Sequence, residues 1–241
     1  VFETLLAVHG KLIWWQAHWQ RLAFAANRLG IELPNETIIK AAAMQLAGMQ
    51  RVVIKIILTR GNGGRGYAPN VGPASTIVSV HPAPDVLKTP VAVRWCQTQI
   101  SQQPALAGIK HLNRLENVMA RSEWQDNEFF EGLMCDLSNN VICATAGNIF
   151  IYSNQKWRTP DLAKSGINGI ARQWFLDNCA NIVIEQISRS ELENADVVFI
   201  CNSVRGMMEV NRINTTELTK HDAFFELQQQ FMFSNPEFSI E

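Results

Sequence analysis

No two of the five cysteines (Cys96, Cys135, Cys143, Cys179, Cys201) stand at CxxC spacing, and their number is odd. A disulfide frame and a zinc knuckle are thereby excluded, and reduced thiols in the cytoplasm are expected. None of the five histidines (His9, His18, His81, His111, His221) belongs to an HExxH pattern or a His/Cys cluster, so no metal site is signalled. A GxSxG elbow and a GK[ST] ending are both missing, which removes the hydrolase nucleophile turn and the triphosphate loop. Long apolar runs are missing too. The strongest, Val52 to Leu58, is interrupted by Lys55 and is too short to span a bilayer, and no basic-then-apolar secretory pattern opens the chain. Neither sign of charge is in excess: 21 Lys and Arg stand against 22 Asp and Glu, so no basic field for nucleic acid is expected. The chain has no initiator Met and begins inside a strand-like run, so a natural N-terminal piece is expected to precede Val1.

What is present is an ordinary globular composition, 47% hydrophobic and 18% charged over 241 residues, enough for one large domain or two modest ones. VFETLLAV reads as a strand, turning at Gly10 into LIWW as a hairpin. Helices are expected from Gln16 to Gly30, where Trp19, Leu22, Ala26 and Leu29 share a face, and from Glu36 to Ala47. RVVIKIILT and STIVSVH read as strands around a glycine-rich loop. HPAPDVLKTP, residues 81 to 90, holds three of the nine prolines and reads as a linker. The expected division is therefore 1-84, a linker at 85-90, and 91-241. The second part is expected to carry strands at VAVRWC, EGLMCDL, VICA, NIFIYS, NIVIEQ and DVVFICN, with helices near 112-125, 168-179 and 216-231. The class is α+β, with a small N-terminal domain and a larger, sheet-rich C-terminal one.

Three elements could hold an anion. The loop from Arg60 to Tyr67 has four glycines that admit a ligand close to the backbone, with Arg60 and Arg65 as forked donors. A plain hairpin loop explains that composition equally well. Gly166-Ile167-Asn168-Gly169-Ile170-Ala171-Arg172 opens a helix, whose first N–H groups and dipole favour phosphate, although every helix has such a start. Cys201-Asn202-Ser203 follows an apolar strand and by itself is a turn. Lys110, where a loop meets an amphipathic helix, is a surface residue by base rate; partial burial would free its amine to form a Schiff base with an aldehyde.

Together, VFET, HWQRL, LTRGNGGRGY, LAGIKHLNRLENVMARSE, AGNIF, GINGIAR and CN resemble the fold-type IV pyridoxal-phosphate enzymes over nearly the whole chain. GGRGY with AGIKHLNRLE is similar to the lyases of that family, whereas its D-amino-acid and branched-chain aminotransferases share mainly the lysine, asparagine and phosphate elements. The resemblance implies a homodimer acting on a small molecule, with pyridoxal 5'-phosphate bound at the interface between the two domains. It further implies Lys110 as the Schiff-base lysine and general acid/base, and Arg21, the backbone N–H groups of Ile170 and Ala171, and Asn202 or Ser203 as phosphate ligands. Asn148 matches the family's strand asparagine, and Arg65 and Tyr67 would face substrate carboxylates, within one subunit or across the dimer. The implied reaction eliminates pyruvate from 4-amino-4-deoxychorismate to give 4-aminobenzoate for folate synthesis. An aminotransferase for D- or branched-chain amino acids, or a member that binds cofactor without turnover, are the alternatives.

One departure stands out. Five positions before the asparagine the family places a glutamate that pairs with the cofactor's pyridine nitrogen, and this chain has Cys143. A thiol weakens protonation of the ring and so the electron sink. Elimination tolerates this better than transamination does, because the departing group relieves charge as the proton leaves.

Overall fold

The computed structural model describes residues 1-69, 72-125 and 127-239. They form two compact units, Val1–Pro84 with Ile109–Leu112, and Asp85–Gly108 with Asn113–Glu241. Among the described residues no helix is long and apolar enough to cross a membrane.

The first unit runs β1 (Phe2–Val8), β2 (Lys11–Leu12), α1 (Trp15–Arg28), α2 (Glu36–Ala47), β3 (Val52–Thr59) and β4 (Ser75–Pro82). Its strands make an antiparallel sheet in the order β2-β1-β3-β4. Leu5, Ala7, Ile54, Ile56 and Leu58 from the sheet pack with Trp15, Trp19, Leu22 and Ala26 of α1 and with Ile39 and Ala43 of α2, and Ile109 completes the cluster. The return strand of the hairpin is shorter than LIWW suggests. Trp14 takes a left-handed conformation (φ 52°) that turns the chain into α1, so Trp15 and Trp19 join the core as helical residues, stacked at 5.9 Å. At the far end of α1, Arg60 donates to the carbonyls of Leu29 and Gly30. That guanidinium closes a helix end, whereas the glycine-loop motif suggests an anion donor.

The second unit runs β5 (Val91–Trp95), α3 (Leu115–Arg121), β6 (Glu131–Cys135), β7 (Val141–Ala144), β8 (Asn148–Ser153), β9 (Lys156–Pro160), α4 (Ile170–Asn178), β10 (Ile182–Glu185), α5 (Arg189–Glu193), β11 (Val197–Asn202), β12 (Gly206–Ile213), β13 (Thr216–Glu217) and α6 (Asp222–Ser234). The sheet order is β10-β9-β8-β11-β12-β5-β6-β7, with β13 beside β12. Parallel pairs (β9/β10, β5/β12, β5/β6) are mixed with antiparallel ones (β8/β9, β8/β11, β11/β12, β6/β7). One face of the sheet buries Val93, Leu133, Ile149, Ile151, Val198, Ile200 and Val210. On the other, Phe150 and Phe199 stack at 4.8 Å beneath α4 and α6, which meet through Phe175 and Phe231 at 5.1 Å. Each such ring pair adds about 0.5–1.5 kcal/mol to the burial itself.

Helix α3 is confined to Leu115–Arg121, well inside the expected span. Ile109, just upstream, is fully buried in the core of the first unit. Downstream, the Ser122 hydroxyl donates to the Val118 carbonyl and the Glu123 carboxylate accepts from the backbone N–H groups of Gln97 and Thr98. The last helix begins six residues later than expected, because Thr216–Glu217 pair with β12 and His221 Nδ1 caps α6 by accepting from the Ala223 N–H. Strand β12 has no counterpart among the expected elements. Glu209, Asn211 and Arg212 interrupt its apolar run, and a register shift between Val210 and Arg212 breaks the alternation.

Candidate active site

In the first unit the alternation of β1 sends Phe2 and Thr4 to one face and Glu3, Leu5 and Ala7 to the other, where α1 lies. His18 and Arg21, three residues apart on α1, both reach Glu3, which is 1% exposed. Glu3 Oε2 accepts from His18 Nδ1 at 2.6 Å and from Arg21 Nη2 at 2.6 Å, while Oε1 accepts from Arg21 Nε at 2.8 Å. Burial alone would raise the Glu3 pKa; the Arg21 charge and these hydrogen bonds hold it down to about 2. Burial lowers the pKa of His18, against the opposing pull of Glu3. The neutral ring therefore donates its Nδ1–H to a carboxylate that can only accept.

Lys110 belongs to the same unit. Its carbonyl accepts from the Phe2 N–H at 2.9 Å, and its Nζ lies 4.3 Å from the centroid of the Phe2 ring, a cation–π distance. The side chain is half-buried, so the partial burial that its functional reading requires is present. Arg65 and Tyr67 are solvent-exposed on the glycine loop and do not join this cluster.

In the second unit the structure brings together Asn148, Ile170, Ala171 and Asn202. Asn148 Nδ2 donates to the Ile167 carbonyl at 2.9 Å, just before α4. Asn202 Nδ2 donates to the Ala146 carbonyl at 3.2 Å, and its Oδ1 accepts from the N–H groups of Val204 and Arg205, fixing the turn that carries Ser203. Gly169 caps α4 with no side-chain hydrogen bond. A Cβ there would fall 1.9 Å from Asn148 Oδ1, so only glycine lets the Asn148 amide lie this close to the start of the helix, whose first N–H groups favour an anion. Arg172, by contrast, is buried, with Nε on Thr159 Oγ1 at 3.2 Å and Nη2 on the Pro160 carbonyl at 3.0 Å; it docks the helix on β9.

Cys143 packs among Cys96, Ile100, Ala120, Trp124, Met134 and Leu162. Burial pushes its thiol up to about 12 although the Arg114 charge opposes this, so the thiol is neutral. A cavity of about 520 Å³ in this unit is lined by Arg114, Asn117, Arg121, Glu131, Thr145 and Ala146 among others, a size suited to a small organic molecule. The Glu131 carboxylate accepts from the N–H groups of Gly132 and Ala146 and from the Thr145 hydroxyl, and burial raises its pKa. Glu3, His18 and Glu131 escape motif reading. For Glu3 and His18 the available signal was an acid on the apolar face of a strand and a histidine one helical turn before an arginine.

A lysine on the edge of a small antiparallel sheet, and a helix mouth framed by asparagine and glycine on a large mixed sheet, define a class. Residues 1-213 match the family model described as amino-transferase class IV, and the chain belongs to that family. Within it, the chain is 33% identical over 226 residues to the aminodeoxychorismate lyase of Vibrio harveyi, covering 90% of this chain and 83% of that one. The crystal structure of 4-amino-4-deoxychorismate lyase from Pseudomonas aeruginosa superposes with a TM-score of 0.90 at 33% identity, covering 98% of this chain and 90% of that one. The D-alanine aminotransferase of Bacillus licheniformis is 25% identical over 233 residues, covering 89% of this chain and 78% of that one.

Proposed function

We propose that this chain is a pyridoxal-phosphate-dependent lyase that removes pyruvate from 4-amino-4-deoxychorismate and leaves 4-aminobenzoate. The observation that carries the reading is its likeness, in sequence and in fold, to aminodeoxychorismate lyases over nearly its full length. The residues present fit the cofactor. Lys110 offers a half-buried amine, Arg21 a guanidinium, and α4 a start at Gly169, where a Cβ would collide with Asn148.

In this reading Arg21, the N–H groups of Ile170 and Ala171, and Asn202 or Ser203 bind the phosphate, with Asn148 holding the approach to α4. Lys110 would hold the cofactor, and its Nζ would take the proton from the amine-bearing ring carbon of the substrate. Pyridoxal phosphate, when bound, supplies an electron sink for the charge left at that carbon. By resemblance Cys143 would stand on the pyridine-nitrogen side of the cofactor as a neutral thiol, which suits an elimination in which the departing enolpyruvate carries charge away. Arg65 and Tyr67 receive substrate carboxylates. The active species is a homodimer, to which α3 contributes the exposed Leu115, Val118 and Met119, and the free state of all five cysteines fits a cytoplasmic setting.

The test is release of 4-aminobenzoate from enzymatically generated aminodeoxychorismate with pyridoxal phosphate supplied, beside a Lys110→Ala control. Release that vanishes in the variant supports the lyase. Undiminished release by Lys110→Ala overturns it, as does silence from the wild type. Keto-acid-dependent amino transfer would then mark an aminotransferase, and cofactor binding without turnover a relic, which the neutral Cys143 favours.

A further inference from the structure

A buried carboxylate is costly unless its oxygens are fully used. Glu3 spends both of its oxygens on two residues of α1. We infer that Glu3 is a positioning residue for Arg21, fixing the plane and direction of its guanidinium for the anionic group that Arg21 receives. The inference rests on the proposed function, in which that group is the cofactor phosphate.

Arginine presents five N–H donors in a rigid planar fork. Glu3 takes the edge formed by Nε and Nη2, in the paired geometry that fixes both partners in one plane. The direction of the Nη1 side then follows from β1 and α1, not from a flexible side chain in water. His18 completes the arrangement without adding charge. Its Nδ1–H serves Glu3, and its Nε2 is buried with no hydrogen-bond partner among the described residues, which suits a ring that buttresses the carboxylate and stays neutral. In purely electrostatic terms Glu3 is a liability, because its negative charge offsets the attraction of Arg21 for a phosphate. A positioning role and a charge role therefore predict opposite consequences of removing that charge.

Pyridoxal phosphate and pyridoxal separate the two, since pyridoxal has the same aldehyde and ring without the phosphate. Binding of each to the full-length apoprotein is followed through the absorbance of the Lys110 Schiff base, in the wild type, Glu3→Gln and Glu3→Asp. Thermal unfolding of each apoprotein serves as the folding control. Glu3→Gln removes the charge and turns an amide N–H toward Arg21; it should weaken pyridoxal phosphate by about tenfold to a hundredfold, as for loss of a charge-assisted hydrogen bond, and leave pyridoxal within about twofold. Glu3→Asp keeps the charge but is one methylene too short to hold both nitrogens, and should show a smaller loss confined to pyridoxal phosphate. It decides the question if Glu3→Gln does not fold. Unchanged preference for pyridoxal phosphate in the folded variants, or tighter binding by Glu3→Gln, overturns the positioning role while leaving the proposed function standing. A wild type that binds neither compound at Lys110 overturns both.

Discussion

Gly169→Ala puts a number on how tightly the mouth of α4 is built. The backbone at this position (φ −70°, ψ 144°) is open to alanine, so the unfolded chain loses freedom and the substitution alone would stabilise by about 0.4–1 kcal/mol. The new Cβ, however, lies 1.9 Å from Asn148 Oδ1 and 3.1 Å from its Cγ, and the amide must rotate away. That breaks the 2.9 Å bond to the Ile167 carbonyl and leaves a buried amide and a part-buried carbonyl unsatisfied, at about 1–3 kcal/mol. The net expectation is a loss of about 1–2 kcal/mol, a drop in Tm of roughly 2–8 °C for a chain of this size. Urea unfolding followed by tryptophan fluorescence measures it. A second arm adds Asn148→Ala, which removes the obstructing oxygen; the double variant should then be more stable than the sum of the two single losses by at least about 1 kcal/mol. Gly169→Ala as stable as the wild type, or additive with Asn148→Ala, would refute the steric argument.

Acid should act on the first unit in two steps. His18 has its folded pKa below its ordinary value of 6.5, and Glu3 has fallen from 4.5 to about 2, so both contributions are complete above those ordinary values and fade as pH falls. For Glu3 the full contribution is about 3 kcal/mol. Stability measured from pH 7 to 3 should start to decline near 6.5 and steepen below 4.5, and Glu3→Gln should show a shallower limb, part of which remains because Glu123, Asp136 and Glu191 are also held low; an identical limb in that variant would contradict the assignment. Burial holds the Cys96 and Cys143 thiols up at about 12, so iodoacetamide at pH 8 should leave both unmodified in the native protein, as read by peptide mass mapping. Labelling of native Cys143 as fast as in the urea-unfolded chain would refute its neutrality.

Local motifs were legible because their chemistry depends on neighbours in the chain. Lys110, the glycines before α4 and the Asn148 strand could all be placed on the right kind of element from spacing alone. The role of Glu3 was not legible, although its strand was, because an acid is a surface residue by base rate; only the packing of β1 on α1 gives it a purpose. The role of Arg60 is hidden for the complementary reason, since the composition of its loop gives no hint that two carbonyls at the end of α1 lie within its reach. The span of α3 depended on Ile109, whose burial belongs to another part of the fold, and β12 was hidden by a register shift that no period-2 pattern survives. The neutrality of Cys143 could be read only after its cluster was known.

The segment Ile109–Leu112 has a bearing on biosynthesis. The first unit is discontinuous: its core includes Ile109, fully buried, and Lys110 pairs with its first strand. As the ribosome extends the chain, residues 1-84 emerge with a hole where that isoleucine belongs, and the unit stays incomplete until 28 more residues follow. Domains that fold as they are made can usually settle one after another. Here the segment that completes the first unit is the one that carries the lysine, so that unit does not close its core without it.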